Sequence, residues 1–168
     1  LMPAAFLQSV NAFFIIVLAP VFGMVWVWME SRQKDPSIPM KAGLGLLGLS
    51  AGFFVLAWGA ANASPDNLVS PSWLVVTYFL HTVGELCISP IGLSAITKLS
   101  PERRVGQMMG IWFVGAALGN LFAGLIGGSL ESLEADTLFR TVAMITGGAG
   151  IFALIVAPQV KKLMGSTR

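Results

Sequence analysis

Residues 105–130 read VGQMMGIWFVGAALGNLFAGLIGGSL and contain no charged side chain. A helix needs about 20 consecutive apolar residues to cross the hydrocarbon core of a bilayer. This stretch is long enough to do so and has no polar interruption that would end a helix early. It therefore predicts a membrane-spanning helix.

Similar stretches occur on both sides of it. Residues 1–29, 42–65 and 141–160 also lack charged side chains, and residues 67–97 carry only Glu85. Polar segments containing proline or acidic residues separate the stretches. Together they predict five membrane spans, at about 6–29, 42–62, 71–97, 105–130 and 139–160.

The composition of the whole chain agrees with an all-α membrane protein. Of the 168 residues, 55% are apolar and 11% are charged, whereas about 25% of residues are charged in a soluble domain. The mean hydropathy is +0.80. These values exclude a disordered chain, a secreted disulfide scaffold and an ordinary water-soluble enzyme domain.

Several kinds of partner and cofactor are also not expected. The chain has one cysteine, Cys87, and one histidine, His81, so an internal disulfide and a transition-metal site are not expected. The net charge is +2 and no basic run is present, so a nucleic-acid partner is not expected either.

The distribution of lysine and arginine predicts the orientation. These residues cluster in the first loop, the third loop and the C-terminal tail: Arg32, Lys34, Lys41, Lys98, Arg103, Arg104, Lys161, Lys162 and Arg168. The second loop has none and the fourth has only Arg140. The positive-inside rule then places the C-terminus in the cytoplasm and the N-terminus outside. An odd number of spans that starts outside, with no basic leader, suggests a fragment of a longer chain.

Glycines inside the spans predict close contacts between helices. Three pairs have the small-xxx-small spacing that lets helix backbones approach each other in a membrane. They are Gly48 and Gly52, Gly106 and Gly110, and Gly115 and Gly119. Helix contact is the simpler interpretation, and rocking of helices during transport is the alternative.

Glu85 is the residue that most strongly suggests a function. It lies in the middle of span 71–97, where an ionisable side chain costs roughly 2.5–3.5 kcal/mol on insertion scales. It must therefore be protonated, paired with a cation from outside this chain, paired with a cationic substrate, or exposed to a water-filled cavity. A fixed ion pair with another helix is the structural alternative to a role in transport and proton coupling.

Other polar residues lie close to Glu85 in the predicted helices. His81, Glu85 and Ser89 are four residues apart and share one helix face. Ser89 either contributes to a site or bonds back to its own helix, and His81 either relays protons or lies near the outer headgroups. Asn11 either forms an interhelical hydrogen bond or faces a cavity. Trp112 lies too deep for an interfacial belt, so it either packs between helices or lines a cavity.

These residues belong to segments that resemble the proton-dependent oligopeptide transporter family. The matching segments are FLQSVN at 6–11 with APVF at 19–22, GELCISPIGLS at 84–94, TKLSP at 97–101 and MMGIWF at 108–113. They resemble helices eight, ten and eleven of that family. The resemblance covers nearly the whole chain, as helices eight to twelve.

The resemblance implies the C-terminal bundle of a major facilitator fold, over residues 1–168, with the N-terminal bundle absent from this chain. It implies that Glu85 binds the amino terminus of a peptide, that Asn11 assists it, and that Ser89 and Trp112 line the pocket. The groups that bind the peptide carboxylate belong to the N-terminal bundle. Protons are the coupling ion, and no cofactor is implied. His81 is not part of the family pattern.

The expected function is proton-coupled symport of di- and tripeptides across the plasma membrane, the inner membrane in a bacterium, by alternating access. One alternative is a transporter of the same fold for another small solute. A second is a membrane scaffold fragment that does not transport. A membrane enzyme is disfavoured because the spans contain no nucleophile–base pair and no phosphate-binding loop.

Overall fold

The computed structural model describes residues 4–63, 70–130 and 133–163, with side chains described except at 4–8, 89–91, 93, 98, 99, 129, 130 and 163. Five long helices account for most of these residues: α1 (Ala4–Ser31), α2 (Ile38–Ala61), α3 (Ser72–Leu99), α4 (Val105–Leu130) and α5 (Ala135–Leu163). A 3-10 turn, Glu102–Arg104, joins α3 to α4. The described residues contain no strand, and the all-α membrane fold class is confirmed.

The helices occupy the five intervals that the charge pattern marks, with small differences at their ends. Four helices are long and apolar enough to cross a membrane, at Ser9–Ser31, Ile38–Ala61, Glu102–Gly128 and Ala135–Lys162. Within α3, the described apolar stretch Ser72–Ile88 contains Glu85. The main shifts are at α2, which begins at Ile38 rather than near 42, and at α5, which begins at Ala135 rather than near 139.

The early start of α2 follows from its first residues. Ser37 is extended, with φ −61° and ψ 155°, and a proline occupies the first turn of the helix. Proline fits there because the first backbone N–H groups of a helix have no partner within the helix. The backbone N–H of Lys41 then donates to the Ser37 carbonyl oxygen at 2.9 Å. Lys41 is therefore part of α2, and the prediction that it belongs to the first loop is wrong.

Lys41 has a structural role at this end of the bundle. Its side chain is 8% exposed, and its Nζ lies 2.7 Å from an oxygen of Asp35. The same Nζ lies 4.3 Å from the centre of the Trp26 ring. Burial of an ammonium group requires such a partner. Trp26 is therefore half-buried and lies beneath Lys41.

α2 lies at the centre of the bundle, between α5 and α3. On the α5 side, a Cβ added at Gly150 would lie 3.2 Å from the Gly43 carbonyl oxygen. About two helical turns from this contact, the Ser50 hydroxyl donates to the Ala143 carbonyl oxygen at 2.7 Å. Glycine contacts and an interhelical hydrogen bond both stabilise helix pairs in lipid.

On the α3 side, the two backbones approach each other at Gly84. A Cβ added at Gly84 would lie 2.6 Å from the Gly45 carbonyl oxygen, and one added at Gly48 would lie 3.2 Å from the Gly84 Cα. Gly52 faces the His81 ring at the next level. Gly48 and Gly52 therefore contact another helix, as the small-residue spacing predicts.

The predicted glycines of α4 do not contact another helix among the described residues. A Cβ added at any of its four predicted glycines, Gly106, Gly110, Gly115 and Gly119, would meet nothing within 4 Å. The physical reason is the position of α4, which packs mainly on α3 and leaves most of its surface open. α1 packs on α3 as well, so α3 is contacted by α1, α2 and α4.

We expect Gly84→Ala to destabilise the full-length protein by about 1–3 kcal/mol, the usual cost of overpacking. The added methyl group would meet the Gly45 backbone, which cannot move away as a flexible side chain can. The measurement is thermal unfolding of the protein purified in detergent. Gly148→Ala is the matched control, because a Cβ there meets nothing within 4 Å. Equal melting temperatures for the two variants would contradict the prediction.

Candidate functional site

A cavity of about 400 Å³ opens between α1, α2 and α3. Its polar lining consists of Asn11 from α1 and Tyr78, His81 and Glu85 from α3. The remaining walls are apolar or glycine: Gly45, Leu49, Gly84 and Ile88. The structure therefore brings together two of the predicted site residues, Asn11 and Glu85, on the same cavity as His81.

Glu85 is the fourteenth residue of the 28-residue helix α3 and is exposed towards this cavity. Its neighbour Gly84 is buried against Gly45 of α2, which fixes the rotation of α3 at this level. Among the described side chains, no lysine or arginine forms an ion pair with Glu85. Glu85 therefore faces an open cavity among the described helices, and its pairing with a cation from outside this chain stays a prediction.

Asn11 is connected directly to α3. The Thr82 hydroxyl donates to Asn11 Oδ1 at 2.7 Å, and Thr82 is fully buried, with 0% exposure. Asn11 thus forms an interhelical hydrogen bond and also lines the cavity, so the two alternatives for this residue both hold. The sequence did not identify Thr82 as a site residue. A threonine in an apolar helix usually bonds to its own backbone, so nothing in the sequence distinguishes this one.

His81 turns one edge of its ring towards α2. The ring centre lies 4.8 Å from that of Phe53, and the ring also lies against Gly52. Its Nε2 is buried and has no hydrogen-bond partner in the described part of the chain. This placement puts His81 at the α2–α3 contact as well as at the cavity, and proton exchange with Glu85 stays a prediction.

Trp112 does not share the cavity of Glu85 and Asn11. It lines a second, apolar cavity of about 650 Å³ between the C-terminal part of α3 and α4, with Ile96 and Met108 among the other lining residues. A Cβ added at Gly92 would lie 2.5 Å from the Trp112 ring, so the indole packs on α3 and lines a cavity at once. The Ser89 side chain lies outside the described residues.

Comparison with known proteins identifies the family. The family described as POT (PTR2) matches residues 1–142. The chain is 43% identical over 173 residues to the peptide transporter YePEPT of Yersinia enterocolitica, covering 99% of this chain and 34% of that protein. It is 31% identical to dipeptide and tripeptide permease A of Edwardsiella piscicida, covering 93% of this chain and 34% of the permease.

A solved structure shows the same fold. The crystal structure of a POT family transporter in complex with a thioalcohol-conjugated peptide matches with a TM-score of 0.83 and 27% identity, over 92% of this chain and 31% of that one. These relatives are transporters, and the chain spans about a third of their length. Since the family match covers most of the chain, this protein belongs to the POT family.

Proposed function

We propose that the protein containing this chain is a proton-coupled symporter of di- and tripeptides that works by alternating access. The chain supplies the C-terminal bundle, residues 1–168, and the wall that binds the peptide amino terminus. The names of the relatives, a peptide transporter and a dipeptide and tripeptide permease, support the substrate class.

One observation supports this proposal most directly. Glu85 forms no ion pair with a cation among the described residues, and it lines a cavity that the Asn11 side chain also lines. A peptide ammonium group supplies the charge that this carboxylate lacks, and in a low-dielectric cavity such a pair is strong. A cavity of about 400 Å³ falls in the range of about 300–1,000 Å³ that holds small ligands.

The remaining roles follow the same chemistry. Protonation removes the charge of Glu85 and weakens its hold on the ammonium, which couples proton movement to peptide release without a cofactor. The peptide carboxylate binds the N-terminal bundle, outside this chain. Ser89 and Trp112 contribute walls further along α3 and α4, and Trp112 does so from its own cavity.

The site also weighs against the alternative functions. A carboxylate in the middle of a span repels an anion, so nitrate and similar solutes are disfavoured as cargo. A scaffold that does not transport has no use for a carboxylate that faces a cavity in the middle of a span and has no cation beside it among the described residues. We place the protein in the plasma membrane, the inner membrane in a bacterium, with its C-terminus in the cytoplasm on the lysine and arginine distribution.

We expect Glu85→Gln to lower proton-driven uptake of dialanine into proteoliposomes by at least about tenfold, equivalent to 1.4 kcal/mol. Glutamine keeps the shape of the side chain and removes the charge that pairs with the ammonium and carries the proton. Glu134→Gln is the matched control, because Glu134 is exposed in the loop before α5. Normal uptake by folded Glu85→Gln protein would exclude the proposed role.

We expect N-acetyl-dialanine to compete with labelled dialanine at least about tenfold less well than unlabelled dialanine does. Acetylation removes the positive charge that Glu85 is proposed to bind and leaves the peptide carboxylate unchanged. The measurement is the concentration that halves uptake. Equal potency of the two compounds would place the main recognition elsewhere and favour a different cargo.

A further inference from the structure

The gap between α1 and α2 forms one side of the Glu85 cavity. Among the described residues, α1 packs on α3 and makes no extended contact with α2. Gly45 and Leu49 of α2 line the cavity all the same, together with Asn11 of α1. The cavity therefore continues between these two helices unless side chains close the gap.

A side-chain contact bridges this gap towards the proposed cytoplasmic end. Lys41 lies four residues before Gly45 on α2, so it shares the face of Gly45 and lies about 6 Å closer to the start of the helix. Its Nζ lies 4.3 Å from the centre of the Trp26 ring of α1. The contact between Lys41 and Trp26 thus lies between the cavity and the cytoplasm.

This contact excludes water. The Lys41 side chain is 8% exposed, and Trp26 Nε1 is buried and has no hydrogen-bond partner in the described part of the chain. A buried indole N–H usually finds a partner, but here the burial leaves almost no surface that a water molecule can reach. Lipid and the rest of the protein can only add to this burial.

Asp35 in the first loop holds the ammonium group in this position. Its two carboxylate oxygens lie 2.7 and 2.8 Å from Lys41 Nζ. The Asp35 side chain is 34% exposed, whereas that of Lys41 is 8% exposed. The ion pair therefore has its positive end in the interior and its negative end nearer the solvent. A fixed positive charge in a narrow path repels protons and other cations.

We propose that Trp26 and Lys41 form the barrier that stops protons from passing between the Glu85 cavity and the cytoplasm along the α1–α2 gap. Trp26 fills the gap, and Lys41 positions the Trp26 ring and supplies the repelling charge. This inference rests on the proposed function. A symporter loses its driving force when protons cross without peptide, so the barrier determines how tightly the two movements are coupled.

The test measures proton entry into proteoliposomes that hold the full-length protein and a pH-sensitive dye, with no peptide present. An inward proton gradient is imposed and the rate of internal acidification is recorded. Trp26→Ala removes the ring, and Lys41→Gln removes the charge. A second measurement follows the exchange of labelled for unlabelled dialanine across the same membranes, which needs a folded site but no proton gradient.

We expect both variants to raise proton entry without peptide by at least about threefold. If protons pass only while the contact is open, loss of one cation–π contact increases the open fraction by a factor of this size. Exchange of dialanine should remain, whereas its accumulation under a proton gradient should fall. Trp26→Phe keeps an aromatic ring for the ammonium group and should keep proton entry low.

A second cation–π pair in the same region provides the matched control. The Arg32 guanidinium lies 4.4 Å from the centre of the Trp28 ring, and Trp28 is 54% exposed. Trp28→Ala and Arg32→Gln should leave proton entry unchanged, because an exposed pair does not exclude water. An equal rise in these variants would indicate a general loosening of the bundle and would overturn the inference.

Unchanged proton entry in Trp26→Ala and Lys41→Gln proteins that still exchange dialanine would also overturn it and would leave the proposed function standing. Failure of wild-type protein to transport dialanine would overturn both. Trp26→Leu removes the ring and keeps more of the apolar volume, and it replaces Trp26→Ala if that variant does not fold.

Discussion

The close contact between α2 and α3 at Gly45 and Gly84 is the constraint on which the rest of the structure depends. In lipid, apolar side chains gain little by leaving one apolar environment for another, so helix association depends on close packing and hydrogen bonds. A Cβ at Gly84 would lie 2.6 Å from the Gly45 carbonyl oxygen, so the helices approach this closely only without one. Because Glu85 follows Gly84, the same contact sets the direction in which the carboxylate faces and places the cavity beside it.

The helices and the central carboxylate could be predicted from the sequence because both depend on local chemistry. Charge-free stretches such as 105–130 become helices wherever they are inserted, and a lone Glu85 in an apolar helix requires a polar environment. Other features depend on which helices meet. The α4 glycines have the same spacing as Gly48 and Gly52 but face open space, and Trp112 lies in a cavity of its own. No spacing rule within a single helix distinguishes these cases.

Thr82 illustrates the same limit in the candidate site. In the sequence it is one of several threonines in apolar helices, and its Tyr78 bond is the ordinary back-bond of such a residue. Its bond to Asn11 joins positions that are 71 residues apart. The signal that points to it is indirect: a small polar residue three positions before the carboxylate, on a helix with few polar groups. Only the packing of α1 against α3 brings the Thr82 hydroxyl within hydrogen-bond distance of Asn11.

The packing of α2 between α3 and α5 also has a consequence for the order of synthesis. α5 begins at Ala135, nearly one hundred residues after the start of α2 at Ile38. At about 5–20 residues per second, its partner leaves the ribosome roughly 5–20 s later. During that interval the Ser50 hydroxyl lacks the Ala143 carbonyl to which it finally donates, and the glycine face towards α5 is covered only by lipid or by other proteins. α5 therefore completes the packing of α2 only after α3 and α4 have been synthesised.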